Sequence, residues 1–168
     1  VGTVVHKLCE LDSQQADWPT IIRRCVPEPD ALTDDALAAI IEHAEAGLAG
    51  LRAIEAEHTI QSRHDELSVQ LDLDTAQVVG EIDHLSVSPT GYIVVDYKTS
   101  DLEKQSIAEL AEHYFPQLIA YAGALFQNDN TATQVDLALV FTDTGEVKQR
   151  SVTRDDNERL MNWASDQL

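Results

Sequence analysis

Hydrophobic positions in the N-terminal third of the chain recur at helical spacing. Between residues 34 and 57, apolar side chains repeat at steps of three and four, which gives one apolar face. They are Leu37, Ile40, Ile41, Ala44, Leu48 and Leu51. Thr33 directly precedes this run as an expected N-cap, and acidic residues in the first turn suit the positive end of the helix dipole. The pattern therefore predicts an amphipathic helix that begins after Thr33.

The middle of the chain switches to the two-residue alternation that is typical of strands. Such runs cover residues 66–71, 78–87 and 92–98. Residues 88–91, with the sequence Ser-Pro-Thr-Gly, join the last two runs and fit a type I turn. These two runs are therefore expected to pair as a hairpin.

Helical spacing returns at about residues 104–126 and is interrupted by Pro116. Because proline inside a helix costs about 3 kcal/mol, we expect a kink or a fresh helix start there. Two further alternating runs, 135–141 and 147–152, precede a capping sequence at 153–156 that predicts a terminal helix. The order of helix, strands, helix, strands and helix predicts an α/β domain with a mixed sheet.

Composition narrows the class of protein. A chain of 168 residues is the size of one domain, and its 43% hydrophobic content excludes a disordered chain. Cys9 and Cys25 are too few for a disulfide scaffold or a four-cysteine metal site. No apolar run approaches the roughly 20 residues of a membrane span, and no signal peptide opens the chain. A cytoplasmic protein without membrane contact is expected, and its start at Val1 is typical of an excised piece.

The charge balance is strongly acidic, with 30 Asp and Glu against 11 Lys and Arg and a net charge of −19. One interpretation is a merely acidic protein. The other is adaptation to molar salt, where a carboxylate surface stays hydrated and self-repulsion is screened over about 3 Å at 1 M. Taken alone, this charge argues against a nucleic-acid partner.

The second arm of the predicted hairpin carries the residues with the clearest chemistry. Asp96 and Lys98 are two apart on a strand, so their side chains point to the same face. Asp96 follows an apolar run, where an ionised carboxylate is costly unless it is paired or binds a cation. If the register brings Asp83 beside Asp96, a divalent ion such as Mg²⁺ relieves their repulsion, and Lys98 can orient a metal-bound water. A surface ion pair between Asp96 and Lys98 on a strand edge is the alternative.

Four short motifs resemble those of the PD-(D/E)XK nuclease superfamily, and more closely its RecB/AddA-like branch. Residues 80–85 and 94–99 resemble the Gly-x-x-Asp and Asp-Tyr-Lys-Thr signatures of that branch. Residues 2–6 resemble its Gly-x-x-x-His motif, and residues 117–121 its Gln-x-x-x-Tyr motif. The motifs occur in the family's order, which makes the resemblance more specific than any one of them.

The resemblance implies a role for each matching position. Asp83 and Asp96 match the metal-binding and catalytic acids, and Lys98 matches the catalytic lysine. His6 and the backbone carbonyl of Tyr97 match further metal ligands, whereas Gln117 and Tyr121 match residues that line the site or the DNA path. Mg²⁺ or Mn²⁺ is the implied cofactor, and the cysteine count leaves no iron–sulfur cluster.

Several of these positions have simpler interpretations. His6 could be an ordinary residue of an amphipathic helix, and the four-residue spacing of the Gln-x-x-x-Tyr motif suits packing of Tyr121 equally well. Glu10 is better explained as a solvated helix carboxylate, and Glu66 as an exposed edge residue. His84 follows Asp83 and should face the other side of the strand, so it is left out of the expected site.

The resemblance also implies a fold and an activity. The fold is a restriction-endonuclease-like three-layer core in a single domain, 1–168, with a mixed central sheet between helices. The expected parts are a helical part with His6 at 1–60, the catalytic sheet and helix at 61–152, and a C-terminal helix at 153–168. The implied activity is metal-dependent hydrolysis of DNA phosphodiester bonds, as an exonuclease or strand-processing domain.

The implied setting is a helicase–nuclease system of DNA repair, with a UvrD-like helicase domain upstream in the same chain. Two alternatives stay open at this point. One is a non-catalytic DNA-binding or scaffolding domain that kept the fold, against which the intact Asp83, Asp96 and Lys98 argue. The other is a stand-alone endonuclease.

Overall fold

Five helices and five strands form the chain in a computed structural model that describes residues 1–11, 14–74, 76–99 and 105–166. The helices are α1 (Gly2–Glu10), α2 (Trp18–Cys25), α3 (Asp34–Glu55), α4 (Ile107–Asn128) and α5 (Arg154–Asp166). The strands are β1 (Ser62–Asp72), β2 (Gln77–Ser88), β3 (Gly91–Lys98), β4 (Gln134–Phe141) and β5 (Glu146–Thr153). Short 3₁₀ turns at Gln15–Asp17 and Pro29–Ala31 flank α2.

The strands form one mixed sheet in the order β1-β2-β3-β4-β5. Neighbouring strands are antiparallel except β3 and β4, which are parallel and are joined by α4. One apolar core lies between the sheet and α4, and a second lies between the sheet and the layer of α1, α2 and α3. The expected α/β architecture, a mixed sheet between two helical layers, is confirmed.

The caps of three helices show why the chain folds this way locally. Thr33 accepts a hydrogen bond from the Ala36 N–H at 3.2 Å, as predicted for the start of α3. Thr153 accepts one from the Asp156 N–H at 3.2 Å at the start of α5. Ser106 begins α4 in a reciprocal capping box with Glu109. Sequence analysis placed the start of this helix at residue 104, which lies outside the described residues.

A kink or a fresh helix start was predicted at Pro116, and the fresh start is wrong, because α4 runs without interruption from Ile107 to Asn128. Proline cannot donate a hydrogen bond to the carbonyl four residues earlier, and this defect falls at an exposed position of α4. The neighbouring Phe115 and Leu118 are buried in the core. Packing of these side chains therefore holds the helix together across the proline.

Strand β2 extends well beyond its pairing with β3. It pairs with β1 over most of its length, whereas its ladder with β3 covers only His84 to Ser88. Residues 77–82 of β2 therefore pair in the sheet with β1 alone and form a two-stranded ribbon with it. This ribbon packs against α4 through Leu67, Val69 and Leu71 of β1. None of the described helices is long and apolar enough to cross a lipid bilayer.

Candidate active site

The two acidic residues singled out by the sequence lie where β2 and β3 separate. His84 pairs with Val95 at the end of the ladder, so Asp83 and Asp96 occupy the next level of the same register. A side chain bridges the strands at this level, because the Tyr97 N–H donates to Asp83 Oδ2 at 2.9 Å. The hairpin thus brings both acids to one point, as the predicted register required.

The alternation of side-chain faces breaks at this same level of the ribbon. Ile82 and Leu85 both pack in the core beside α4, although their odd separation should place them on opposite faces. On β1 the break falls at Glu66, which has a left-handed φ of 49°. A break of this kind re-aims a side chain, as bulges beside active sites do. Here it directs Asp83 to the mouth of the gap between β2 and β3.

Asp96 and Lys98 form a close ion pair inside the protein. Lys98 Nζ lies 2.7 Å from Asp96 Oδ2, with side-chain exposures of 18% and 5%. The ammonium of Lys98 also lies 4.4 Å from the centroid of the Tyr114 ring, which covers it from α4. Strand β3 is central in the sheet, so the alternative of a surface ion pair on a strand edge does not describe this structure.

The environment of Asp96 disfavours its charge. Burial raises the pKa of Asp96 to about 6, against the opposing attraction of Lys98, and the negative charge of Asp83 raises it further. Asp96 Oδ2 has no hydrogen bond of acceptable geometry, although the Lys98 ammonium is near. A buried carboxylate oxygen in this condition, next to a second carboxylate, fits a divalent cation.

His6 reaches the site from the other helical layer. Its neighbours Val5 and Leu8 are fully buried beneath the sheet and fix α1, so that His6 Nδ1 lies 3.6 Å from Asp83 Oδ1. The His6 side chain is 32% exposed, so its ring borders solvent rather than filling the core. The exposure alone also suits an ordinary residue of an amphipathic helix, so the approach to Asp83 is what supports the expected metal-ligand role, which stays a prediction.

These side chains do not form a closed ligand cage. Among the described residues, no three His, Cys, Asp or Glu side chains surround a common position suited to a metal ion. His6 faces Asp83, while Asp96 faces Lys98. A cation between the two acids would therefore draw Asp96 Oδ2 from the lysine, and the remaining ligands would come from water, as is usual for Mg²⁺.

The Gln-x-x-x-Tyr motif lies on α4 behind the ribbon. Gln117 is exposed and its Nε2 donates to the hydroxyl of Tyr121 at 2.6 Å. Tyr121 is only 4% exposed, and its ring packs against Gly80 of β2. Tyr121 is therefore a packed residue of the core, and its role in lining the site or the DNA path stays a prediction.

His84 faces away from the acids, as expected. Its side chain is buried on the α3 side of the sheet, with Nδ1 2.5 Å from Asp65 Oδ1 and Nε2 3.0 Å from Ser86 Oγ. Glu10 lies beside Lys7 on α1, at 2.5 Å. Neither residue contacts Asp96 in this structure.

Two contacts of strand β3 were not predicted from the sequence. Tyr114 precedes Gln117 by one helical step of three, so the face of α4 that carries the motif could have pointed to it. Thr142, at the end of β4, donates its hydroxyl to the Lys98 carbonyl at 3.3 Å and its N–H to the same oxygen at 3.0 Å. No sequence signal marks Thr142, because its contact depends on the parallel pairing of β3 with β4.

Comparison with known protein families identifies the class. The chain belongs to the PD-(D/E)XK nuclease superfamily, whose model matches residues 1–168. No curated protein matches the sequence.

A solved structure supports this assignment at the level of fold. A protein from Eubacterium rectale named "Putative exonuclease" superposes with a TM-score of 0.55 at 16% identity, over 96% of this chain and 61% of that one. The present chain thus spans about three fifths of that protein. VC1899 from Vibrio cholerae matches at 15% identity over 96% of this chain and 45% of that one, with a TM-score of 0.37. The restriction-endonuclease-like fold is confirmed.

Proposed function

We propose that this domain is a divalent-metal-dependent deoxyribonuclease that hydrolyses DNA phosphodiester bonds as a RecB/AddA-like exonuclease. The observation that carries the proposal is the buried Asp96 carboxylate, which lies between the Lys98 ammonium and the charge of Asp83. Ionisable groups with shifted pKa values cluster at functional sites, and the raised pKa of Asp96 beside a lysine and a second acid fits that tendency. Membership of the nuclease superfamily and the exonuclease neighbour support the same class of reaction.

The residues divide into two groups by their chemistry. Asp83, Asp96 and His6 would hold the ion, with the Tyr97 carbonyl as a further oxygen ligand, and Mg²⁺ or Mn²⁺ suits this set. The ion supplies charge stabilisation at the scissile phosphate and lowers the pKa of a bound water. Lys98 would orient a water and offset charge on the phosphate when Asp96 holds the ion. Tyr114 keeps the ammonium on this side of the strand.

The setting that we propose is a helicase–nuclease system of DNA repair. The order of the four motifs resembles RecB-like domains, which often follow a UvrD-like helicase in one chain. The net charge of −19 repels DNA, so a neighbouring domain that delivers the strand would compensate by raising its local concentration.

The test is cleavage of linear and covalently closed circular DNA in the presence of Mn²⁺. We expect Asp96→Asn and Lys98→Ala to lower the rate by at least about 100-fold, because each removes transition-state charge stabilisation. Asp136→Asn, in the neighbouring strand β4, and Lys148→Ala, in a surface pair with Glu146, are matched controls. Both controls should cleave like the wild type.

Three outcomes would contradict the proposal. Undiminished cleavage by Asp96→Asn or Lys98→Ala would remove these residues from the site. Cutting of the closed circle would replace the exonuclease with an endonuclease. A wild-type domain that binds no Mn²⁺ and cuts no DNA would favour the scaffolding alternative.

A further inference from the structure

The ribbon part of β2 lacks pairing with β3, so contacts outside the sheet must fix its position on that side. Its residues 77–82 have β1 on one side but lie outside the ladder with β3. The bond that ties this stretch to β3 at the site runs from the Tyr97 N–H to Asp83 Oδ2. The position of Asp83 relative to Asp96 therefore depends on how the ribbon is seated on α4.

The ribbon contacts α4 closely where Gly80 of β2 meets Tyr121. A Cβ atom built on Gly80 would lie 2.5 Å from Tyr121 Cε1 and 2.8 Å from its hydroxyl oxygen, distances that real Cβ atoms do not adopt. Gly80 has no unusual φ, so glycine is required here for space and not for backbone conformation. The Tyr121 ring fills that space, and the Gln117 amide holds its hydroxyl at 2.6 Å.

Gly80 and Asp83 are close enough for the Gly80–Tyr121 contact to affect the position of the Asp83 carboxylate. They are three residues apart on one strand, a span of about 10 Å at the usual rise. Ile82, between them, packs in the same core as Tyr121. The stretch from Gly80 to Asp83 thus has one face fixed on α4 and ends in the carboxylate.

We propose that Tyr121, seated on Gly80, is a positioning residue that holds Asp83 at the level of Asp96. This inference rests on the proposed function, since Asp83 matters there as a metal ligand. It also gives the Gly-x-x-Asp and Gln-x-x-x-Tyr motifs of this chain a joint role: the glycine of the first receives the tyrosine of the second.

The experiment follows the Tyr97 amide by hydrogen exchange in the metal-free protein. We expect Tyr121→Leu and Gly80→Ala to speed exchange of that amide by about tenfold or more, because its acceptor Asp83 moves away. Amides of Ile93–Val95, inside the β2–β3 ladder, should change far less. Tyr121→Phe keeps the ring on Gly80 and should remain within about threefold of the wild type.

Gly50→Ala is the matched control, since a Cβ there would lie 2.7 Å from Val140 Cγ1 on the other face of the sheet. It should lower stability without selective loss at Tyr97. If Gly80→Ala does not fold, the double variant Gly80→Ala/Tyr121→Leu, whose added methyl takes space left by the ring, should restore protection of Tyr97.

Mn²⁺ affinity, measured by calorimetry on the folded variants, gives a second readout. Tyr121→Leu should weaken binding by about tenfold, whereas Gly50→Ala should not. Unchanged Tyr97 exchange in folded Tyr121→Leu, or equal loss in Gly50→Ala, would overturn the positioning role. Absence of cleavage by the wild type would instead contradict the proposed function. Hydrogen exchange of the Tyr97 amide would still test whether Tyr121 positions Asp83.

Discussion

Among single residues, buried Asp96 is expected to lower the free energy of unfolding, and this effect can be measured. Asp96 has a pKa of about 6 in the folded protein against 3.8 for the free side chain, with burial as the main cause. A carboxyl group whose pKa is raised on folding contributes its stability below the unfolded pKa and loses it as the pH rises through the folded pKa. Ionised Asp96 should therefore lower the stability of the wild type between about pH 4 and pH 6.

Asp96→Asn should accordingly be more stable than the wild type at pH 8, by about 1–3 kcal/mol. The amide is neutral and similar in shape, and the attraction of Lys98 is already included in the raised pKa of Asp96. Urea unfolding at pH 8 and pH 4 measures the difference, which should shrink at the lower pH. Asp136→Asn serves as control, and an Asp96→Asn protein no more stable than the wild type at pH 8 would refute the argument.

A divalent ion should reverse this penalty in the wild type. At Mn²⁺ about 100-fold above its dissociation constant, linkage predicts a gain of about 2.7 kcal/mol in unfolding free energy. Asp83→Asn and Asp96→Asn should lose most of that gain, because each removes a charged ligand. Thermal unfolding with and without Mn²⁺ checks it, and a gain that survives both substitutions would place the ion elsewhere.

The candidate residues could be predicted from sequence because the chemistry follows the strand period. Asp96 and Lys98 share a face by spacing alone, and a four-residue turn fixes the hairpin that carries them. The pattern could not reveal the break at Asp83, because alternation assumes a regular strand. Nor could it show that Tyr121 packs on Gly80, since this contact joins two motifs that are about 40 residues apart in the sequence.

At the level of whole elements, tertiary packing determines the extent of β1 and of α4 against the local preference of their sequences. Strand β1 begins at Ser62, earlier than the predicted residue 66, because its polar first residues gain their pairing from β2. Helix α4 passes through Pro116 for the same kind of reason. In each case the partner is remote in sequence, and for this reason periodicity within a window missed it.

Pro116→Ala should stabilise the protein. The substitution restores an N–H donor for the carbonyl of residue 112 and removes the clash of the proline ring, which together cost about 3 kcal/mol in an ideal helix. Loss of the proline also makes the unfolded chain more flexible, which offsets up to about 1 kcal/mol of this gain. We expect a net gain of about 1–2 kcal/mol in urea unfolding. Pro89→Ala, in the β2–β3 turn where proline suits the backbone, is the contrasting control and should destabilise. A loss of stability in Pro116→Ala would mean that α4 is adapted to its proline.

At the scale of the whole molecule, the net charge decides how the domain meets DNA and salt. With 30 acidic and 11 basic residues, little affinity can come from release of counterions by basic side chains. The isolated domain should bind a single-stranded oligonucleotide with a dissociation constant of about 10 μM or weaker, with a shallow salt dependence. Fluorescence anisotropy across KCl concentrations measures both quantities. Nanomolar binding would contradict this prediction and would indicate a basic DNA-binding surface on the acidic domain.

The same charge should make stability depend on salt. Like charges repel over about 10 Å at 0.1 M and only about 3 Å at 1 M, so unfolding free energy should rise with KCl into the molar range if the surface is adapted to salt. Replacing exposed acids on α3 and just after its end by Glu42→Gln, Glu45→Gln and Glu57→Gln together removes part of the repulsion. This variant should be more stable than the wild type at low salt and should gain less from KCl. Urea unfolding in a KCl series distinguishes the two interpretations of the acidity, because a protein most stable below about 0.1 M KCl would be merely acidic.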